Sequence, residues 1–229
     1  MALYVYLKSS SSPRGKGRIS LFWHYLPFGL ISLGIISLAN VVLPLVFYEL
    51  RSNYFQSRIT SPVLGETAKE VNYADPRNWF PLAPQLSPRP SKITHYSLSI
   101  PKLKIEEAVV QVGGENLMAN LIQYPGTALP GQWGNAVIFG HSVLPQFFNP
   151  QNYKTIFSTL PELEKGDEIL VNFDGVFYRY RVEEIAETSP EDLTILEQRY
   201  NEISLTLITC VPPGTYLRRL IIKAKLISN

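Results

Sequence analysis

The sequence predicts a mostly β protein: a single closed or nearly closed β-barrel with short helices, preceded by one N-terminal transmembrane helix. Three observations carry this reading. From Leu21 to Leu50 the chain holds no Asp, Lys or Arg, and no Glu before Glu49. A proline-punctuated stretch without any sustained apolar period follows it. Beyond residue 93, about seven short apolar runs alternate with turn signals, which is the rhythm of a small barrel.

The N-terminal run comes first. Its inner part, Leu26 to Tyr48, is long enough to cross a hydrocarbon core of about 30 Å at 1.5 Å per residue. Trp23, Tyr25 and Tyr48 sit near its ends, where aromatic rings favour the membrane interface. A cleaved signal peptide is the first alternative, but the run is too long and no small-residue cleavage site follows. A buried core helix is the second, and such a helix is rarely apolar all round. Lys8, Arg14, Lys16 and Arg18 precede the run without any acid, whereas only Arg51 and Arg58 follow it closely. This asymmetry predicts a cytoplasmic head at 1–20, an anchor at 21–50, and everything beyond on the outer face of the cell membrane.

Residues 51–92 read as an extracellular tether, stiffened by Pro62, Pro76, Pro81, Pro84, Pro88 and Pro90. Within it Asp75-Pro76-Arg77-Asn78-Trp79-Phe80 places two aromatics in polar surroundings, which fits either an incidental loop or a docking element.

The outer domain, 93–229, is expected to hold strands at Ser97–Ile100, Ile105–Val112, Asn135–Phe139, Asp167–Phe173, Val176–Ala186, Ile203–Thr209 and Arg219–Ile227. Asp174-Gly175 between two of them is a two-residue hairpin signal. Short helices are expected at Asn116–Ile122, Tyr153–Leu160 and Glu191–Leu196, the last after Ser189-Pro190.

Composition narrows the function. The formal charge is +2, and once the basic N-terminus is set aside the remaining chain has more acids than bases, which leaves no footprint for nucleic acid. One cysteine, Cys210, excludes an intramolecular disulfide and metal clusters of the CxxC type. Nothing in the sequence asks for a cofactor.

That lone thiol is either a buried filler or a reactive group. It stands at the end of the Ile203–Thr209 strand, before Val211-Pro212-Pro213-Gly214, a loop that would leave it open to a ligand. His141, directly after the Asn135–Phe139 strand, is either structural or an acid–base partner for the thiol. In the last strand Leu220, Ile222, Ala224 and Leu226 take the core face, which sends Arg219, Lys223 and Lys225 to the solvent side. These cations form either a solvated face or, with Cys210, one wall of a shared groove.

Several stretches, taken in order, resemble the sortases, cysteine transpeptidases of bacterial surfaces. Thr206-Leu207-Ile208-Thr209-Cys210, with Arg219-Leu220 following, is similar to the TLxTC…R signature. Tyr124–Gly131, leading through Gly134-Asn135 to Gly140-His141-Ser142, resembles the approach to the family's histidine. Ile100–Leu103 and Leu163–Ile169 resemble two further family stretches, and the Cys210-to-Arg219 spacing is nearest to class C-like members. The resemblance implies that Cys210 attacks a backbone carbonyl in an LPxTG-like sorting signal near the C-terminus of a secreted protein. His141 would protonate the departing amine, and Arg219 would hold the substrate or the oxyanion. An amine of peptidoglycan or a pilin lysine would then resolve the thioester. Thr209, Pro212 and Gly214, beside the thiol, are the candidate substrate contacts, and residues 73–82 become a candidate lid. Two other readings stay open: a non-catalytic, membrane-anchored peptide-binding barrel, and a thiol hydrolase.

Overall fold

In the computed structural model, residues 17–52, 72–83 and 92–227 are described. Most of the expected head, with Lys8, Arg14 and Lys16, and most of the expected tether lie outside these residues.

The N-terminal element is a single helix, α1, Gly17–Ser52. Its stretch Tyr25–Tyr48, 24 residues of mean hydropathy 2.4, is long and apolar enough to cross a bilayer. The apolar side chains Phe28, Leu30, Ile31, Leu33, Ile35 and Ile36 are all exposed. Alternative solutions for such a surface, a core helix among them, would bury one face.

The second unit is a closed eight-stranded barrel. Its strands are β1 (His95–Ile100), β2 (Ile105–Val112), β3 (Leu121–Gln123), β4 (Gly134–Phe139), β5 (Glu168–Phe173), β6 (Val176–Thr188), β7 (Ile203–Val211) and β8 (Arg218–Ile227). Around the barrel they run β1-β2-β3-β4-β7-β8-β6-β5, and β5 closes onto β1. All pairs are antiparallel except β2–β3 and β4–β7. The hairpin at Asp174-Gly175 forms as the dipeptide requires, with φ of 54° and 76° at the two positions, values an I′ turn demands.

Two apolar clusters flank the sheet. Leu98, Ile100, Val110, Ile138, Val171, Leu205, Leu207 and Ile222 fill the barrel interior. A second cluster sits on the outer face of β4, β7 and β8, where Val137, Phe139, Ile208, Cys210 and Ile221 are covered by Trp79, Phe80, Leu117, Ile195 and Leu196. Strands buried on both faces lose the polar half of their alternation, which explains why β4 and β7 read as continuous apolar runs.

Three expected helices are corrected. At 116–122 the chain makes a turn and then β3, because Leu121 to Gln123 take the rungs between β2 and β4. At 153–160 the hydrogen bonds run three residues back, as in Thr155 N–H to the Asn152 carbonyl and Ser158 N–H to the Thr155 carbonyl, so successive turns replace a helix. At 191–196 only a 3-10 turn forms, at Thr194–Leu196, where the Asp192 carboxylate accepts the Thr194 N–H at 3.0 Å.

Candidate active site

Cys210 and Arg219 are cross-strand neighbours on β7 and β8, and His141 stands in the turn that follows β4, the strand paired with β7. Cys210 is the second-last residue of β7, which runs one residue past it to Val211. Its partner across the antiparallel β7–β8 ladder is Arg219. His141 arrives from β4, whose last rung with the parallel β7 is Phe139 opposite Ile208. Gly140 makes this approach possible: a Cβ there would lie 2.4 Å from Phe157 Cδ2 and 2.7 Å from Leu121 Cδ2.

Hydroxyl groups join the histidine turn to the cysteine strand. The Thr209 hydroxyl donates to the Gly140 carbonyl at 2.8 Å, and the Ser142 hydroxyl donates to the Cys210 carbonyl at 2.6 Å. Both bonds bind neighbours of the candidate groups and leave the thiol and imidazole side chains untouched.

Residues 72–83 cover this face. A short 3-10 turn, Pro76–Trp79, is capped by Asp75, whose carboxylate accepts the Arg77 N–H at 2.9 Å and the Arg77 guanidinium at 2.6 Å. Contacts with the barrel hold the segment down: Ala74 accepts the Leu117 N–H at 2.8 Å, Arg77 pairs with Glu115 at 3.0 Å, and Tyr73 stacks on Tyr216 at 4.0 Å. Trp79 packs edge-on against Phe139 at 5.4 Å and lies 5.8 Å from the His141 ring. A cavity of about 620 Å³ remains beside it, lined among others by Tyr73, Trp79, Tyr124, Glu191 and Arg219.

Two expectations change under this cover. The thiol is not open, since Cys210 is only 2% exposed. Arg219 is not on a solvated face, being 1% exposed, because Trp79 and Phe80 shield the outer side at the head of β8. Both remain on one face, as alternation along β7 and β8 requires. Thr209 is buried with its hydroxyl committed to Gly140, Pro212 is buried, and Gly214 is exposed at φ 83°.

Burial dominates the electrostatics. It pushes the Cys210 thiol up to about 11, against the opposing pull of the Arg219 charge. It pulls the His141 imidazole down to about 4. Under the cover both groups are therefore neutral near pH 7. Buried His141 Nε2 and Arg219 Nε have no hydrogen-bond partner. Among the described residues no group of His, Cys, Asp and Glu side chains converges on a metal-sized site.

A thiol, a titratable ring and a permanent cation are group types that covalent acyl transfer can use. Sequence reasoning misses Ser142, although it directly follows His141, and misses Tyr216, which no local pattern marks.

The profile of the Sortase domain family matches residues 98–227. Sortase A of Bacillus anthracis is 27% identical over 133 residues, 58% of this chain and 59% of that protein, so the chain spans about three fifths of that relative's length. Among solved structures, a lid mutant of sortase A from Corynebacterium diphtheriae superposes with a TM-score of 0.52 at 29% identity, over 62% of this chain and 74% of that one. Sortase C-1 from Actinomyces oris gives a TM-score of 0.53 at 26% identity, over 61% and 77% respectively.

Proposed function

Since the chain belongs to the sortase family, we propose that it is a membrane-anchored cysteine transpeptidase that cleaves an LPxTG-like sorting signal and joins the acyl fragment to an amine. One observation carries the reading: Cys210 and Arg219 form one rung of the β7–β8 ladder, while Thr209 and Ser142 tie the His141 turn to the same strand.

The steps follow from the groups. The Cys210 sulfur attacks the signal's scissile carbonyl, and Arg219 stabilises the developing oxyanion with a permanently charged donor fork. His141 takes the Cys210 proton as the sulfur attacks and passes it to the departing amine, leaving an acyl thioester on Cys210. A second amine, from peptidoglycan or a pilin lysine, attacks the thioester carbonyl, and the proton it sheds passes through His141 to the departing Cys210 sulfur, which restores the enzyme. Secreted proteins with a C-terminal sorting signal are the donors. Anchorage through Tyr25–Tyr48, with Lys8, Arg14, Lys16 and Arg18 inside, would place the barrel at the outer face, where such proteins emerge.

Residues 73–82, with the Asp75-Pro76 step inside them, act as a lid over the site in this reading, and the Cys210-to-Arg219 spacing favours a class C-like member. Support for the lid comes from buried Trp79 and its contacts to His141 and Arg219.

The test is covalent capture. A peptide vinyl sulfone should label the full chain at Cys210, and Cys210→Ala should lose both label and transpeptidation. Retained transfer in Cys210→Ala would remove the nucleophile assignment. Product analysis with and without an added amine separates transfer from hydrolysis, and a protein that binds the peptide without ever labelling would be the non-catalytic barrel.

A further inference from the structure

β4 and β7 run parallel, and their ladder sets a strict rhythm of donors and acceptors. Its last backbone rung beyond Phe139 is Gly140 N–H to the Ile208 carbonyl at 3.1 Å. In a continuing parallel ladder the next rung, two residues on along both strands, would join the amide of residue 142 to the carbonyl of residue 210. β4 has already ended, at Phe139. The chain turns away so that the His141 carbonyl takes the Phe157 N–H at 3.0 Å, and Val143 N–H goes to the Ser158 hydroxyl at 2.9 Å. The Cys210 carbonyl is nevertheless satisfied from residue 142, by the Ser142 hydroxyl at 2.6 Å.

We infer that Ser142 is a positioning residue: its hydroxyl substitutes for the missing rung and fixes the separation of the His141 turn from the Cys210 strand. The inference rests on the proposal that His141 and Cys210 act together. Its physical content is geometric. With the rung gone and no hydroxyl in its place, no hydrogen bond would tie the residue after His141 to the cysteine, and the bonds that remain reach only Ile208 and Thr209 on β7 or the separate 157–158 turn. Misplacing reacting groups by about 1 Å costs on the order of a hundredfold in rate, although no group that touches substrate has been removed.

Threonine and valine have nearly the same shape, so Ser142→Thr and Ser142→Val isolate the hydroxyl at constant volume, and Ser142→Ala removes it without added bulk. The readout is alkylation of Cys210 by iodoacetamide in the full detergent-solubilised chain, as a rate and as its pH midpoint, with thermal unfolding measured in parallel. Ser142→Val should slow alkylation about tenfold or more and shift the midpoint, while Ser142→Thr should stay within about twofold of the parent at the parent midpoint. If Thr and Val behave alike, the hydroxyl has no positioning role and the inference is overturned, whatever happens to stability. Should Ser142→Ala not fold, the Thr and Val pair alone decides. His141→Ala separates the underlying reading: if it leaves the midpoint unmoved, the His–Cys partnership falls and takes this inference with it. A responsive His141 with indistinguishable Thr and Val overturns the role of Ser142 alone.

Discussion

Arg219 donates through Nη2 to the Trp79 carbonyl at 3.0 Å, while its Cζ lies 5.3 Å from the centre of the Trp79 ring. Two further bonds run from Nη1 to the carbonyls of Tyr216 and Arg218, at 3.0 and 3.2 Å. The guanidinium is thus buried on neutral carbonyl oxygens and aromatic faces, with no carboxylate in ion-pair range among the described residues. Its full charge stays available to whatever anion replaces the Trp79 carbonyl. One residue of residues 72–83 therefore shields the ring and occupies the cation together.

Trp79→Ala should accordingly unmask the site. It removes the indole donation to the Tyr73 carbonyl at 2.8 Å, the packing on Phe139 and the cation–π contact. Losses of about 1–2 kcal/mol from such contacts correspond to a rise of roughly five- to thirtyfold in the open population. Alkylation of Cys210 should accelerate by about that factor, and an unchanged rate would mean that the segment is not a barrier.

Stability should depend on pH through His141, with a definite sign. Its folded value is about 4 against an ordinary 6.5. The folded state thus disfavours the protonated ring, so the contribution is complete above pH 6.5 and is lost as pH falls from 6.5 toward 4. Urea unfolding should show about 3 kcal/mol of loss across that window, absent in His141→Gln. Cys210 acts at the other end: raised from about 9 to about 11, its contribution is complete below pH 9 and declines between 9 and 11. Cys210→Ala should flatten only that alkaline limb.

The two adjacent arginines should fail in different ways. Arg219→Ala should slow thioester formation by a hundredfold or more, the about 2.7–4 kcal/mol associated with an oxyanion donor, and Arg219→Lys should recover little of it. Arg218, the first residue of β8, is not a free surface cation, since it pairs at 3.2 Å with the buried Glu187. Arg218→Ala should cost about 2 kcal/mol of stability with turnover of the folded protein retained. Turnover and thermal unfolding measured on both variants distinguish these patterns.

Gly140→Ala should be as damaging to function as its size is small. The added methyl meets Phe157 at 2.4 Å and Leu121 at 2.7 Å, so the turn that carries His141 must shift. A stability loss of about 1–3 kcal/mol is expected together with a disproportionate fall in thiol reactivity. Full reactivity in a folded Gly140→Ala protein would show that the His141 turn tolerates displacement.

What is legible in the sequence depends on how local its cause is. Asp174-Gly175 announces the hairpin because two residues with positive φ suffice to make it. The Cys210–Arg219 pairing is legible because strand alternation and a single connecting loop determine it. Leu121–Gln123 gives no strand signal: three residues carry no period, and β3 exists only because β2 and β4 leave a place between them. Arg219 reads as solvated for a related reason. Alternation tells which face a residue takes, but the cover on that face comes from Trp79 and Phe80, far away along the chain. Ser142 is similarly silent, since its role depends on where a neighbouring strand stops.

Closure of β5 onto β1 also governs how any extended peptide can be read. With β5 closed onto β1, no strand of the described barrel presents a free edge along its whole length, only overhangs such as β7 beyond Ile208, so a guest chain has no full edge to extend as a ninth strand. Under the proposed function it would lie across the outer face of β4, β7 and β8, gripped by side chains and connecting loops. Main-chain pairing, which accepts almost any sequence, is thereby withheld, and discrimination passes to the groups that protrude from an otherwise self-sufficient cylinder.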